Sequence, residues 1–441
     1  MSDKNSFSIG KGFELLEQLE HILESDTLID EVGFVHPSQF ASLNKEAKSS
    51  KFQSKDGILS SGIHEVSVSD NEDTIFWNKD HKLGISTHVL LPLYKASRDA
   101  FMDVIREYKR LEHFCSISEN EIHSCEFSPL ESEVMKHSKA LLLLSCDFGT
   151  AWNSRKLVLS KKQHMSMFIS ELLLSSLVLS YSPKSEQAWC HRRWVIKTLA
   201  GKCSTMQQIV GRESELVETI AERSKMNYRA WNHRCWLVSF MTVEQVLLEL
   251  KKSKSWAKLH IADNSCFHYL TRLMLRILEE FRHRHAHESS NHTVETYQIW
   301  QEELHWNEEL IKSYIGREAL WLYRRFLSLC WMRHFADNPN DVSQPSDHKY
   351  SIYTDINLFL DNELYLVNSF STIADDKYED YQAQAMHSTA YILWLTKQIP
   401  KSHGKEFKQK LNAGNWKTLL NLSCPERSLL WDNLAAYLKS P

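Results

Sequence analysis

Ser185-Glu-Gln-Ala-Trp-Cys-His-Arg-Arg-Trp194 and Asn227-Tyr-Arg-Ala-Trp-Asn-His-Arg-Cys-Trp236 are two copies of one phrase, and their recurrence decides the fold. Upstream lies Asp147-Phe-Gly-Thr-Ala-Trp-Asn-Ser-Arg155. Downstream come a weaker copy, Asp263-Asn-Ser-Cys-Phe-His-Tyr-Leu270, and a strong one, Arg317-Glu-Ala-Leu-Trp-Leu-Tyr-Arg-Arg325. The anchors Trp152, Trp189, Trp231, Phe267 and Trp321 are spaced by 37, 42, 36 and 54 residues. Self-similarity at such a period marks supersecondary units that stack on one another.

Each unit has one grammar. An apolar stretch such as 164–180 predicts a helix, Tyr181-Ser-Pro-Lys184 a turn, and the Trp-x-His-Arg segment a second helix to about Leu199, with Gly201 placed to cap it. Ala188, Trp189, Arg192, Ile196 and Leu199 fall on one helical face, as do Ala230, Trp231, Arg234, Val238 and Met241. The tryptophan can fill the gap between hairpins, and the arginine three residues on can reach carbonyl oxygens at the end of a neighbouring helix. A hairpin cannot bury its apolar stripe alone, whereas a stack of five can. With only 12 glycines and 9 prolines in 441 residues, breakers are scarce. The expected fold is all-α: a right-handed superhelical solenoid of stacked antiparallel helical hairpins.

Composition removes several function classes. A net charge of −4 gives no basic footprint for nucleic acid. Nine cysteines are scattered, odd in number and without a CxxC pair, which points to reduced thiols in a cytosolic or nuclear protein, here expected to be cytoplasmic, without a zinc-binding set of its own. The N-terminus lacks an apolar signal core, and no apolar run is long enough to span a bilayer. The expected organisation is an N-terminal helix plus a Ser-rich, charged loop in 1–75, the repeat array in 76–335, a linker in 336–350 and capping helices in 351–441. An insertion at 281–296 carries His283, His285, His287 and His292, which could bind metal or simply be a solvated loop.

Five tandem units, two of them reading Ala-Trp-x-His-Arg in full, resemble the repeat of protein prenyltransferase α subunits, as in farnesyltransferase and the geranylgeranyltransferases. Leu28-Ile-Asp-Glu-Val-Gly33, Lys82-Leu-Gly84 and Leu141-Leu-Leu-Leu-Ser-Cys-Asp-Phe148 are similar to the branch of protein prenyltransferase α-subunit repeat-containing proteins. The resemblance covers about 140–335, with looser support from 76–139. It implies a non-catalytic α-type subunit that scaffolds a β subunit, of Rab type in this branch. That β subunit would carry the zinc and the isoprenoid pocket, with no cofactor on this chain. Geranylgeranyl transfer to C-terminal cysteines of target proteins is the implied activity. The family lysine that contacts isoprenyl diphosphate falls on Lys184, the glutamine near the peptide carboxylate on Gln187, and the following Asn-Tyr on Asn227 and Tyr228. The family tyrosine two residues after the lysine is Glu186 here, a carboxylate unhelpful beside a diphosphate.

Each of these residues also has a plainer role open to it. Lys184, read as a first-turn residue, opposes the helix dipole and could equally be a solvated surface lysine or a phosphate contact. Gln187 reads as a helix-surface amide. The repeat residues Trp152, Trp189, His191, Arg192, Trp231, His233, Arg234, Phe267, Trp321 and Arg324 read as architecture rather than chemistry. Two rivals stand beside the enzyme subunit. One is a TPR-like interaction scaffold, disfavoured because TPR units repeat every 34 residues with a different pattern. The other is a regulator that binds a β subunit without supporting transfer.

Overall fold

The computed structural model describes residues 2–40, 42, 75–117, 124–285, 291–335, 356–370, 379–399 and, with short gaps, 401–439. The expected loop at 44–75, apart from Ile75, the linker at 336–350 and the side chains of His283, His285, His287 and His292 lie outside the described residues. The chain divides into two compact units, 1–233 and 234–441.

The first unit begins with α1 (Ser2–Ser25) and a small sheet of β1 (Glu31–Val35), β2 (Phe76–Lys79) and β3 (Lys82–Ser86), in the order β1-β3-β2. β1 runs parallel to β3, and β2 is antiparallel to it. Asp80 and His81 both take left-handed backbone angles (φ 50° and 60°), the geometry of a two-residue hairpin whose twist matches its strands. Val32, Leu83 and Ile85 tie the sheet into the first unit's core. The repeat pattern gave no hint of this sheet, because strands of four and five residues, the first far from the other two in sequence, leave no periodic signal.

Then come α2 (Leu90–Ile117), α3 (Ser124–Leu144), α4 (Gly149–Lys162), α5 (Met165–Tyr181), α6 (Glu186–Leu199) and α7 (Met206–Arg223), followed by α8 (Tyr228–Leu237), which crosses into the second unit. Gly12 lets α1 approach α2 closely, since a β-carbon there would lie 3.1 Å from the Pro92 carbonyl oxygen. Two of the second helices start on a side-chain cap: at α6 Ser185 Oγ accepts from the Ala188 amide at 3.3 Å, and at α8 Asn227 Oδ1 from the Ala230 amide at 3.2 Å. α6 ends as its sequence predicts, with Gly201 at φ 78°.

The second unit continues with α9 (Val243–Leu259), α10 (Asn264–His285), α11 (Asn291–Ser313), α12 (Glu318–His334), α13 (Ile356–Ser369), α14 (Glu379–Thr396), α15 (Lys401–Asn412) and α16 (Ser428–Lys439). α9 opens on a reciprocal capping box between Thr242 and Gln245. The segment 281–296 includes the end of α10 and the start of α11. The fold class is all-α, a succession of helical hairpins with one small sheet at the start. Among the described residues no helix is long and apolar enough to cross a membrane.

Candidate functional site

The anchors sit on the second helix of each pair: Trp152 on α4, Trp189 on α6, Trp231 on α8, Phe267 on α10 and Trp321 on α12, all buried. In the first unit each tryptophan ring lies against the histidine of the next copy, Trp152 with His191 at 4.5 Å and Trp189 with His233 at 4.9 Å between centroids. Their indole N–H groups donate to carbonyls six residues upstream, Trp152 to Cys146 (2.8 Å) and Trp189 to Pro183 (3.0 Å).

The arginine three residues after the anchor does two jobs. Its guanidinium donates to a carbonyl on the first helix of its own hairpin: Arg155 to Met135 and Arg192 to Leu172, each at 2.6 Å. These carbonyls lie within α3 and α5 rather than at a helix end, which corrects the expected geometry. Ser138 and Ser175 accept from the same guanidinium groups and themselves donate to those carbonyls, at 3.2 and 3.1 Å. The second job was invisible in the repeat phrase. Arg155 forks onto Glu171 of α5 (Nε–Oε2 2.9 Å), and Arg192 onto Glu213 of α7 (2.6 Å).

Each glutamate also faces the histidine of its own hairpin, His191 on Glu171 at 2.8 Å and His233 on Glu213 at 3.0 Å. Burial would raise both carboxyls, but the arginine and the histidine hydrogen bond overturn it and hold each at about 2. Burial outweighs the glutamate in pushing both histidines below their ordinary value, so each is a neutral imidazole donating Nε2–H. The other ring nitrogen of His191, Nδ1, is then an unprotonated acceptor, buried without a partner.

The second unit keeps the glutamate and changes its partners. Glu249 takes Arg234 and the Tyr269 hydroxyl, each at 2.9 Å. Glu363 takes Arg324 (Nε–Oε2 3.0 Å) and the Tyr391 hydroxyl (2.6 Å). Tyr391 occupies on α14 the place that Tyr323 holds on α12, so one more joint lies in a segment assigned from sequence to capping helices. Thr389 stands where a tryptophan would have announced it. At Glu303 the arginine is missing, because its position is Leu270. Tyr323 (2.9 Å) and Lys254 (2.8 Å) serve instead.

With the helix faces so occupied, the exposed chemistry lies on the turns. Three successive turns of the first unit are bonded together. Ser185 Oγ donates to Asp147 (2.8 Å), Cys146 Sγ approaches Ser182 Oγ (3.3 Å), and the Asn227 side-chain amide donates to the Pro183 carbonyl (2.8 Å). Lys184, Gln187 and Tyr228 are exposed on this rim, while Asn227 is buried with both ends of its amide engaged in the turns. Lys184 stands just outside α6, because Ser185 is the cap; the first-turn position expected of it belongs to Glu186.

Glu186, the departure from the family tyrosine, is not a bare carboxylate. Its oxygens accept from Arg229 (2.8 Å) and Arg193 (3.0 Å). Burial would raise its carboxyl, but bonds from Cys190, Arg229 and Arg193 hold it below the ordinary range. The rim therefore presents Lys184, Arg193 and Arg229 against two carboxylates, Glu186 and Asp147. Arg193 and Arg229 were passed over in the sequence because they flank the repeat arginines without belonging to the motif. Among the described residues no cluster of three or more His, Cys, Asp or Glu could hold a metal ion.

A family model described as protein prenyltransferase alpha subunit repeat matches residues 168–199 and 211–241, which carry this rim's two central hairpins. Protein prenyltransferase alpha subunit repeat-containing protein 1 of Homo sapiens is 31% identical over 254 residues, 48% of this chain and 62% of the human one. Its Danio rerio counterpart is 29% identical over 275 residues, 54% of this chain and 63% of the fish protein. More distantly, the geranylgeranyl transferase type-2 subunit alpha of Mus musculus is 23% identical over 194 residues, 42% of this chain and 33% of the mouse subunit. The matches thus span less than two thirds of these relatives' lengths.

Proposed function

From a chain that carries protein prenyltransferase α-subunit repeats, we propose an α-type subunit of a heterodimeric protein prenyltransferase that geranylgeranylates C-terminal cysteines of target proteins in the cytoplasm. Its partner is a β subunit of Rab type, which holds the zinc and the thiolate chemistry. The observation that carries this reading is the division of labour within the repeats. Their Trp, His and Arg side chains are buried in joints, and the exposed polar groups gather on the turns at Lys184, Gln187 and Tyr228. A rim of that kind can lend contacts to an active site completed by another chain without performing the reaction itself. Distant similarity to a geranylgeranyl transferase subunit supports the choice of isoprenoid.

The side chains have separable tasks in this proposal. Lys184 supplies a mobile cation to the diphosphate, with Arg229 and Arg193 keeping the local field positive despite Glu186. Tyr228 offers a hydroxyl, Gln187 an amide toward the peptide carboxylate, and Asn227 locks the turn that presents them. Co-expression with a Rab-type β subunit, purification and a transfer assay with geranylgeranyl diphosphate test the proposal. A stable pair with activity is expected, and Lys184→Ala should lower that activity without disrupting the pair. Failure to pair with any prenyltransferase β subunit overturns it, and a pair without transfer makes the chain a regulator.

A further inference from the structure

Leu270 replaces the arginine that elsewhere spans from one hairpin to the next, and beside that missing strut the second unit opens. Between α9 and α11 lies a cleft of about 580 Å³. Its floor is apolar, formed by Leu250, Ile299 and Trp306. Lys254 stands in it as a substitute strut, paired with the buried Glu303 and lying 5.1 Å from the centre of the Trp306 ring. The Trp306 indole nitrogen is buried with no hydrogen-bond partner. Lys251 and Lys258 line the same wall, both exposed and neither in an ion pair among the described residues. Across from them Glu302 is the one exposed carboxylate lining the cleft.

We infer that this cleft is a docking groove for an extended acidic segment of a protein partner: an apolar residue flanked by a carboxylate two positions away on either side. Three features select that chemistry. The lining residues of α9 run from Leu247 to Lys258, roughly 16 Å at ~1.5 Å per helical residue, a length suited to about five extended residues. Alternate side chains of an extended segment share one face, so two acids four residues apart lie ~13 Å from each other with the apolar residue between them. Lys251 and Lys258 are roughly 10 Å apart along the helix, and their flexible stems can cover the difference. Lys254 is already neutralised by Glu303, which leaves the two outer lysines as the free cations and the apolar floor between them.

The test uses the full chain and a fluorescein-labelled peptide, Gly-Glu-Ser-Leu-Ser-Glu-Gly, in fluorescence anisotropy at low and high salt. Neither a β subunit nor prenyl transfer enters it, so its failure leaves the proposed function standing. The peptide should bind about tenfold more tightly than its version with glutamine at both acidic positions, and salt should weaken it. Lys251→Glu with Lys258→Glu should abolish most of that preference, whereas Glu302→Gln should strengthen binding about twofold by removing the opposing charge. All three positions are exposed, so unchanged circular dichroism and melting establish that the variants are folded. Equal affinity for the acidic and glutamine peptides, indifference to the lysine reversal, or binding to phosphatidylserine vesicles in place of the peptide would each overturn the inference.

Discussion

The joint at Glu213 and the joint at Glu303 are built from the same buried carboxylate and solve its burial in different ways. Glu213 receives a bidentate arginine and a neutral histidine and is held ionised at about 2. Glu303 has a lysine whose side chain is 23% exposed and a tyrosine hydroxyl, and burial raises its carboxyl. An arginine fork reaches both a carboxylate and a carbonyl, closing the space between first helices. A single ammonium cannot do this, and the place where it stands in is the place where the cleft opens.

The most severe way to break the comparison is Glu213→Gln. It strands a buried Arg192 without its counter-charge and should cost roughly 3–5 kcal/mol in denaturant unfolding of the whole chain. Trp231→Ala, which empties the space of a side chain 1% exposed, should cost a similar ~3–5 kcal/mol. The same glutamate exchange at the weaker joint, Glu303→Gln, should cost only about 1 kcal/mol, because the amide keeps the tyrosine bond and Lys254 can turn to water. Equal losses at the two positions would remove the distinction.

Acid should sharpen the difference. His191 and His233 have folded values below their ordinary 6.5, so the unfolded chain takes up protons first and stability falls as pH drops below that value. Glu171 and Glu213 bind protons at about 2 when folded against 4.5 ordinarily, so their contribution is present above 4.5 and fades toward 2. Thermal melting should be level above pH 7, decline below 6.5 and fall more steeply below 4.5. His191→Phe should flatten the first stage, and a melting point that rises between pH 7 and 5 would contradict the assignment. The smallest effect belongs to the rim. Lys184→Ala should change stability by less than about 0.5 kcal/mol, since the side chain is exposed and outside the joints.

How far could the residues alone lead? Ala-Trp-x-His-Arg at near-regular spacing determined the hairpins, their caps and the burial of Trp189, His191 and Arg192, because a helical stripe and its punctuation are local properties of the chain. The family resemblance, not the spacing, pointed to Lys184, Gln187, Asn227 and Tyr228, of which Lys184, Gln187 and Tyr228 stand exposed and Asn227 is buried. The glutamates stayed hidden. Glu171, Glu213, Glu249, Glu303 and Glu363 sit on other helices at varying separations from the arginines, or at Glu303 the lysine, that meet them, amid many solvated acids that look the same in a sequence. Tyr391 was missed because Thr389 carries no anchor, and the sheet because its strands are short and far apart. Tertiary structure alone decided which carboxylates are buried, that Glu186 is neutralised by Arg193 and Arg229, and that Leu270 leaves a gap. Apart from the seven-residue step from Glu186 to Arg193, these are meetings of residues far apart in the chain or consequences of packing, where electrostatics depends on what surrounds a charge and not on which residue bears it.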